Sequence, residues 1–189
     1  MKLIVALTGA SGVIYGKRLL EVLKEKNIEV HLIISNNCEK IIEHELQMKR
    51  EDFEKLAYRI YKEDDLLAPI TSGSTKIDGM IIIPCSMKTL AGIACGYSEN
   101  LILRAADVIL KEKRKLIIVP RETPLNPIHL ENMLKLARIG AIILPASPAF
   151  YHKPERINDL VDFIIGKILD IMEIEHNLFK RWENFIIFK

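Results

Sequence analysis

Three short stretches of this chain combine glycine, hydroxyl and charged residues in a way that suits an anionic ligand. They are Gly9-Ala10-Ser11-Gly12, Ser86-Met87-Lys88-Thr89 and Arg121-Glu122-Thr123-Pro124. Each follows a short apolar run, and the first two lead into helix-compatible segments. Such strand-to-helix turns expose the unpaired N–H groups of a helix start, and ligands of open α/β sheets bind there. In the first turn, glycine lets backbone approach a phosphate, and Ser11 either caps the helix or donates its hydroxyl to the ligand. The spacing is not that of the G-x-G-x-x-G dinucleotide fingerprint. Ser35 ends the second apolar run, as a helix cap or a group reaching the same ligand. Ser86 and Thr89 offer two hydroxyls, again readable as a cap or as ligand donors. Cys85 is a candidate nucleophile, but no histidine is nearby in sequence and a small buried thiol is the commoner role.

Charged groups come next. Arg104 and Lys111 lie seven residues apart in a helical segment and share one face, with Asp107 between them. They form a surface salt-bridge row or a phosphate clamp. Arg121 and Glu122 leave the carboxyl end of a strand, the edge that forms the crevice of such sheets. Tyr151 follows Pro145 and Pro148 in a stiff loop, as a hydroxyl donor or a hydrophobic plug. The histidines, His31, His44, His129, His152 and His176, show no metal-ligand spacing, so no metal is expected.

The elements that must position these groups follow from pattern. Apolar runs at Lys2–Leu7, Glu29–Ile34, Gly79–Ile83, Lys115–Val119 and Ala141–Leu144 read as strands, with the third ending at Pro84. Helical spacing covers Val13–Lys24, Cys38–Leu46, Asp52–Tyr61, Leu90–Ala94, Leu101–Lys111, Ile128–Arg138 and Ile157–Met172. Gly140 stands where a helix C-terminal glycine belongs. This alternation predicts an α/β fold, a doubly wound parallel sheet in a single domain over 1–189, with 174–189 as a C-terminal tail. With 189 residues, 49% hydrophobic and 28% charged, the chain is of ordinary globular composition. A net charge of +2 from 27 basic and 25 acidic residues gives no footprint for nucleic acid. No apolar run reaches the roughly 18–20 residues of a membrane span. Three cysteines without a C-x-x-C pair indicate reduced thiols and a cytoplasmic setting.

With these segments in hand, the chain resembles the UbiX-type flavin prenyltransferases, relatives of which were formerly described as aromatic-acid decarboxylases. The residues that carry the resemblance are Thr8-Gly9-Ala10-Ser11-Gly12 with Tyr15-Gly16; Ser72-Gly73-Ser74; Pro84 through Leu90; Asn100-Leu101 with Arg104 to Asp107 and Leu110-Lys111-Glu112; Arg121 through Leu125; His129 through Met133; Pro145 with Pro148 and Phe150-Tyr151; and Arg181-Trp182. The resemblance implies a flavodoxin-like (Rossmann-like) sheet, a homo-oligomer of dodecameric size, and no metal. It implies FMN, reduced and used as substrate, with dimethylallyl phosphate as the second substrate. The prenyl unit is joined to N5 and C6 of the flavin, and the prenylated FMN serves a UbiD-type decarboxylase. By the same resemblance Gly9, Ala10, Ser11, Ser35, Ser86, Met87, Lys88, Thr89 and Arg121 hold the flavin. Ser11, Glu45 and Glu122 belong to the chemistry. Arg104, Lys111, Tyr151, Lys167 and Trp182 hold the allylic phosphate and its prenyl group. Lys167 stands where relatives carry arginine, which keeps the charge and loses the bidentate fork. Leu66 stands where some relatives carry an aromatic residue. The competing readings are an FMN-dependent decarboxylase, a non-catalytic flavin carrier or accessory subunit, and a structural oligomer with no ligand.

Overall fold

The structure, a computed structural model, describes residues 1–182. The chain divides into two compact units at Pro145 and Ala146. In the first, strands β1 (Lys2–Leu7), β2 (Glu29–Ile34), β3 (Arg59–Tyr61), β4 (Gly79–Cys85), β5 (Lys115–Pro120) and β6 (Ile142–Ile143) form one sheet. Its order is β3-β2-β1-β4-β5-β6, and every paired neighbour is parallel. Without the three-residue edge strand β3, the remaining order is the flavodoxin-like one. The helices of this unit are α1 (Val13–Glu25), α2 (Asn36–Leu46), α3 (Arg50–Glu54), α4 (Met87–Cys95), α5 (Leu101–Lys111) and α6 (Pro127–Arg138).

The reason for this sheet lies in the strands. Leu3 to Leu7, Val30 to Ile34, all of β4 and Leu116 to Pro120 are buried without alternation. A strand apolar on both sides needs helices on both faces, which is the parallel arrangement. One face holds a core of Ile4, Ala6, Met80 and Ile82 packed by Leu90, Leu101, Ala105 and Ile109. The chain builds outward from β1 to β3, then returns to β4 beside β1. The carboxyl ends of β1 and β4 therefore flank the switch point, where two adjacent strand-to-helix turns diverge and leave a crevice.

Three elements depart from the sequence expectation. The stretch expected to be helical from Asp52 to Tyr61 is α3 followed by β3. Tyr58 N donates to Val30 O at 3.0 Å and β3 pairs with His31 to Ile33, so edge pairing takes residues whose types also suit a strand. The third apolar run passes through Pro84 to Cys85, with the ladder register shifting between Ile82 and Cys85. Proline lacks only a donor, and its carbonyl still accepts from Thr8 N at 3.1 Å. The last strand shortens to Ile142–Ile143, opposite Ile117 and Ile118.

The second unit carries α7 (Ile157–Ile171). Gly166 on this helix has no room for a Cβ, which would meet the Phe179 ring and, at 2.7 Å, His176. The described part of the expected tail, residues 174–182, thus folds back on α7. The remainder, 183–189, lies outside the described residues.

Candidate functional site

The crevice is built around Thr8, buried at the end of β1. Its hydroxyl donates to Pro84 O at 2.9 Å and accepts from Ser86 N at 2.7 Å. One side chain thereby fixes the turn after β4 against the turn after β1. Gly9 and Ser11 are exposed at the rim, with Ala10 buried between them. Ser11 is not the cap of α1. That position belongs to Gly12, at φ 98°, which offers no side chain. The cap is supplied from a distance by Glu45 on the last turn of α2. Gly12 N donates to its carboxylate at 2.9 and 3.2 Å, and Val13 N at 3.2 Å. The start of α1 therefore already holds an anion of the chain's own, and Ser11 is left free of capping. Of the two readings of Ser11, the capping one does not hold.

Ser35 is a cap: its hydroxyl accepts from Cys38 N at 3.3 Å at the start of α2, and it is itself buried. Ser86 caps α4, accepting from Thr89 N at 3.3 Å and donating to the Thr89 hydroxyl at 3.1 Å. Both hydroxyls hold helix starts that open on the crevice edge, so capping and ligand contact are compatible there. Met87 is partly buried and Lys88 exposed on the first turn of α4. Cys85 is fully buried, and burial pushes its thiol far above the ordinary range. A thiol held protonated in this way is no nucleophile.

Arg121 follows β5, with its N–H donating to Cys85 O at 3.3 Å. Its Cγ lies 3.8 Å from where a Cβ on Gly12 would stand, so its stem crosses the first turn. The Nε is buried and has no hydrogen-bond partner. An orphaned guanidinium donor at the mouth of two helix starts fits an acceptor-rich ligand, as FMN is. Glu122 beside it is exposed, and its carboxylate accepts from Thr123 N at 3.0 Å.

Of the expected phosphate cations in this unit, Lys111 is not at the crevice. Arg104 pairs with Asp107 at 2.9 Å, the salt-bridge reading of that helix face. Lys111 pairs with Glu112 at 2.5 Å and lies 2.9 Å from where a Cβ on Gly73 would stand. Arg114 holds the same loop, donating to Gly73 O at 2.7 Å and Thr75 O at 2.8 Å. Lys111 precedes β5 and Arg121 follows it, so the two stand at opposite edges of the sheet. A six-residue strand separates them, about 20 Å at the usual rise. One chain does not bring Lys111 to its own crevice.

The second unit assembles Tyr151 with Trp182, their rings edge-on at 5.1 Å. Phe163 meets Tyr151 at 5.9 Å and stacks on His152 at 5.4 Å. Lys167 follows Phe163 by one helical turn and pairs with Asp170 at 3.7 Å. Asp170 also accepts from His176 at 3.1 Å and from Arg181 at 2.8 and 3.2 Å. Burial raises its pKa, but these partners together outweigh burial and hold it below the ordinary carboxylate value. Among the described residues, no group of three or more His, Cys, Asp or Glu is close enough to hold a metal, and no helix is long and apolar enough to cross a membrane.

Thr8 and Glu63 are the positioning groups that sequence reasoning missed. A buried hydroxyl directly after an apolar strand was a signal for Thr8. Glu63 carried none, since its side-chain partners are 27 and 37 residues away.

Residues 1–169 match a family model described as Flavoprotein. The flavin prenyltransferase UbiX of Methanocaldococcus jannaschii is 58% identical over 182 residues, which is 96% of this chain and 98% of that protein. Among solved structures, the dodecameric FMN-dependent UbiX-like decarboxylase of Escherichia coli O157:H7 is 50% identical with a TM-score of 0.94, covering 96% of this chain and 99% of that one. AnUbiX, in complex with FMN and dimethylallyl pyrophosphate, is 45% identical with a TM-score of 0.94, covering 96% of both chains. A parallel sheet with this order, a carboxylate-capped and a hydroxyl-capped turn at its switch point and identity of this extent lead to one conclusion: the chain belongs to the UbiX flavin prenyltransferases, within the flavoprotein family.

Proposed function

We propose that this protein joins the prenyl unit of dimethylallyl phosphate to N5 and C6 of reduced FMN, and that the product serves a UbiD-type decarboxylase. The observation that carries the reading is the buried Arg121 Nε, a donor with no partner, at a crevice rimmed by the Gly9 to Ser11 and Ser86 to Thr89 turns. The reduced flavin, when bound, would supply the electron pair for the new bond to the prenyl carbon, whose bond to the phosphate oxygen breaks, and a ring face that stabilises positive charge on that carbon. The residues of the chain do the rest. Gly9, Ala10, Ser11, Ser35, Ser86, Met87, Lys88, Thr89 and Arg121 hold and orient the ring, an orientation effect that lowers the entropic cost of bringing two substrates together. Ser11, free of capping, donates at the rim. Glu122, exposed beside Arg121, accepts a proton as the second bond closes. Glu45 acts by fixing the turn that carries Ser11.

The leaving phosphate needs fixed positive charge, which preorganised cations supply most effectively in a site that excludes water. Tyr151 and Lys167 provide a hydroxyl and an ammonium group in the second unit, with Trp182 packed on Tyr151. Arg104 lies on the first turn of α5, whose start is held beside the Ser35 turn. Lys111, at the other end of that helix, stands at the edge of its own sheet away from the crevice. Its role therefore calls for a neighbouring copy, and the dodecameric assembly of a relative 50% identical supports one.

The names of the relatives divide between prenyltransferase and decarboxylase. An anaerobic mixture of the protein, reduced FMN and dimethylallyl phosphate separates the two. A flavin mass increased by one five-carbon unit, and lost in Glu122→Gln, is the expected result. Unchanged flavin that still binds tightly would overturn the reading in favour of a carrier or a direct decarboxylase. Parallel reactions with the pyrophosphate identify the donor.

A further inference from the structure

Between β3 and β4 a single carboxylate holds two helix starts. Glu63 Oε2 accepts from Asn36 N at 2.9 Å, and Oε1 accepts from Asn100 Nδ2 at 2.8 Å. The Glu63 carbonyl accepts from Leu101 N at 2.8 Å. Asn36 is the first residue of α2, directly after the Ser35 cap. Asn100 caps α5, its side-chain oxygen accepting from Leu103 N at 3.0 Å. The first turns of α2 and α5 are thus tied to one point. A carboxylate suits this place for two reasons. It meets the positive end of the α2 dipole, and its bonds are charge-assisted. It also presents acceptors on both oxygens to two donors, which an amide does not.

Each Glu63 oxygen already accepts from a donor of the chain's own. We propose that Glu63 is a positioning residue for the flavin. It locks the Ser35 turn against the start of α5, so that the turn is already in its binding geometry when FMN arrives. The proposal rests on the reading of the crevice as a flavin site. It predicts that loosening the lock weakens flavin binding in a protein that remains folded, because the ordering of the turn then falls at the moment of binding.

The test uses the full-length protein with FMN as the probe, titrated by quenching of flavin fluorescence. Glu63→Gln keeps the volume and turns one acceptor into a donor facing a donor. Asn36→Pro removes the other side of the bond. Proline is tolerated at a first helical position, and Ser35, at φ −68° and ψ 151°, already has the conformation a residue before proline adopts. Each single variant is expected to raise the Kd for FMN about tenfold. The double variant is expected to match the singles rather than multiply them, since both break one interaction. At saturating FMN, kcat should stay within about twofold of the parent, giving a KM effect without a kcat effect. An FMN Kd that is unchanged or tighter in a folded variant, judged by circular dichroism, overturns the proposal. Multiplying effects, or a fall in kcat in step with the folded fraction, do the same by reducing Glu63 to a general structural role. A parent protein that does not bind FMN at all is a different result: it sinks the flavin reading, and this proposal with it.

Discussion

Glu45 lies at the far end of α2 from Ser35, yet it completes the start of α1. Acidic groups at a helix N-terminus satisfy orphan N–H groups and meet the helix dipole. Glu45→Ala should therefore lower stability by about 0.5–2 kcal/mol, read as a shift in the denaturation midpoint, with Glu45→Gln retaining more because its amide oxygen still accepts. His31 makes a second residue-scale prediction. It is 7% exposed, with Nδ1 2.9 Å from the Tyr61 hydroxyl and Nε2 3.1 Å from Glu29. Burial lowers its pKa, and the opposing pull of Glu29 does not restore it. A neutral histidine in the folded state contributes stability that is fully present above the unfolded value near 6.5. That contribution falls as pH drops through this value and is gone below the lowered folded pKa. Urea midpoints should fall between pH 8 and pH 5, and His31→Gln should flatten that dependence.

At the scale of elements, the position of α1 over the sheet decides where its turn points. Gly16 makes this packing possible. A Cβ there would stand 2.6 Å from Leu7 Cδ2 and 2.8 Å from the Ile83 carbonyl. The carbonyl is backbone of a buried central strand and has nowhere to move. Gly16→Ala should push α1 away from β1 and β4, at a cost of about 1–3 kcal/mol of stability. The same displacement should weaken FMN binding, because Gly12 and Ser11 ride on that helix. A variant with wild-type thermal midpoint and FMN affinity would refute this account. The α3 and β3 region shows the reverse relation. Its residues permit helix or strand, and the open edge of β2 selects the strand for Arg59 to Tyr61.

For the whole molecule, the decisive fact is that Lys111 and Arg121 stand at opposite edges of one sheet. If Lys111 serves the crevice of a neighbouring copy, Lys111→Ala and Tyr151→Phe should complement each other. Each alone should reduce prenyl transfer by about 10²–10³ while leaving FMN bound. Oligomers reassembled from equal amounts of the two should regain about a quarter of parent activity, the share of sites in which both residues are intact under random mixing. Mixed oligomers with no gain over the single variants would place both residues in one chain's site.

Much of this protein was legible in order. Buried apolar runs define β1, β2, β4 and β5 because a strand covered on both faces must be apolar throughout. Leu19, Leu20 and Leu23 define the inner face of α1, and Gly140, at φ 100°, ends α6 as its type suggests. The three turns rich in glycine, hydroxyl and charge were legible for the same reason: local chemistry reports local geometry. What the order of residues did not contain is which groups meet. Glu45 caps α1 across 32 or 33 residues, Glu63 bridges α2 and α5, and Thr8 joins turns 78 residues apart. Those pairings arise from the strand order, which brings β1 beside β4. Helical spacing placed Arg104 and Lys111 on one face, but only the direction of α5 along the sheet revealed that Lys111 ends at the edge away from the crevice. Spacing along a chain sets periodicity within an element, whereas the edge an element faces is set by the packing of all of them.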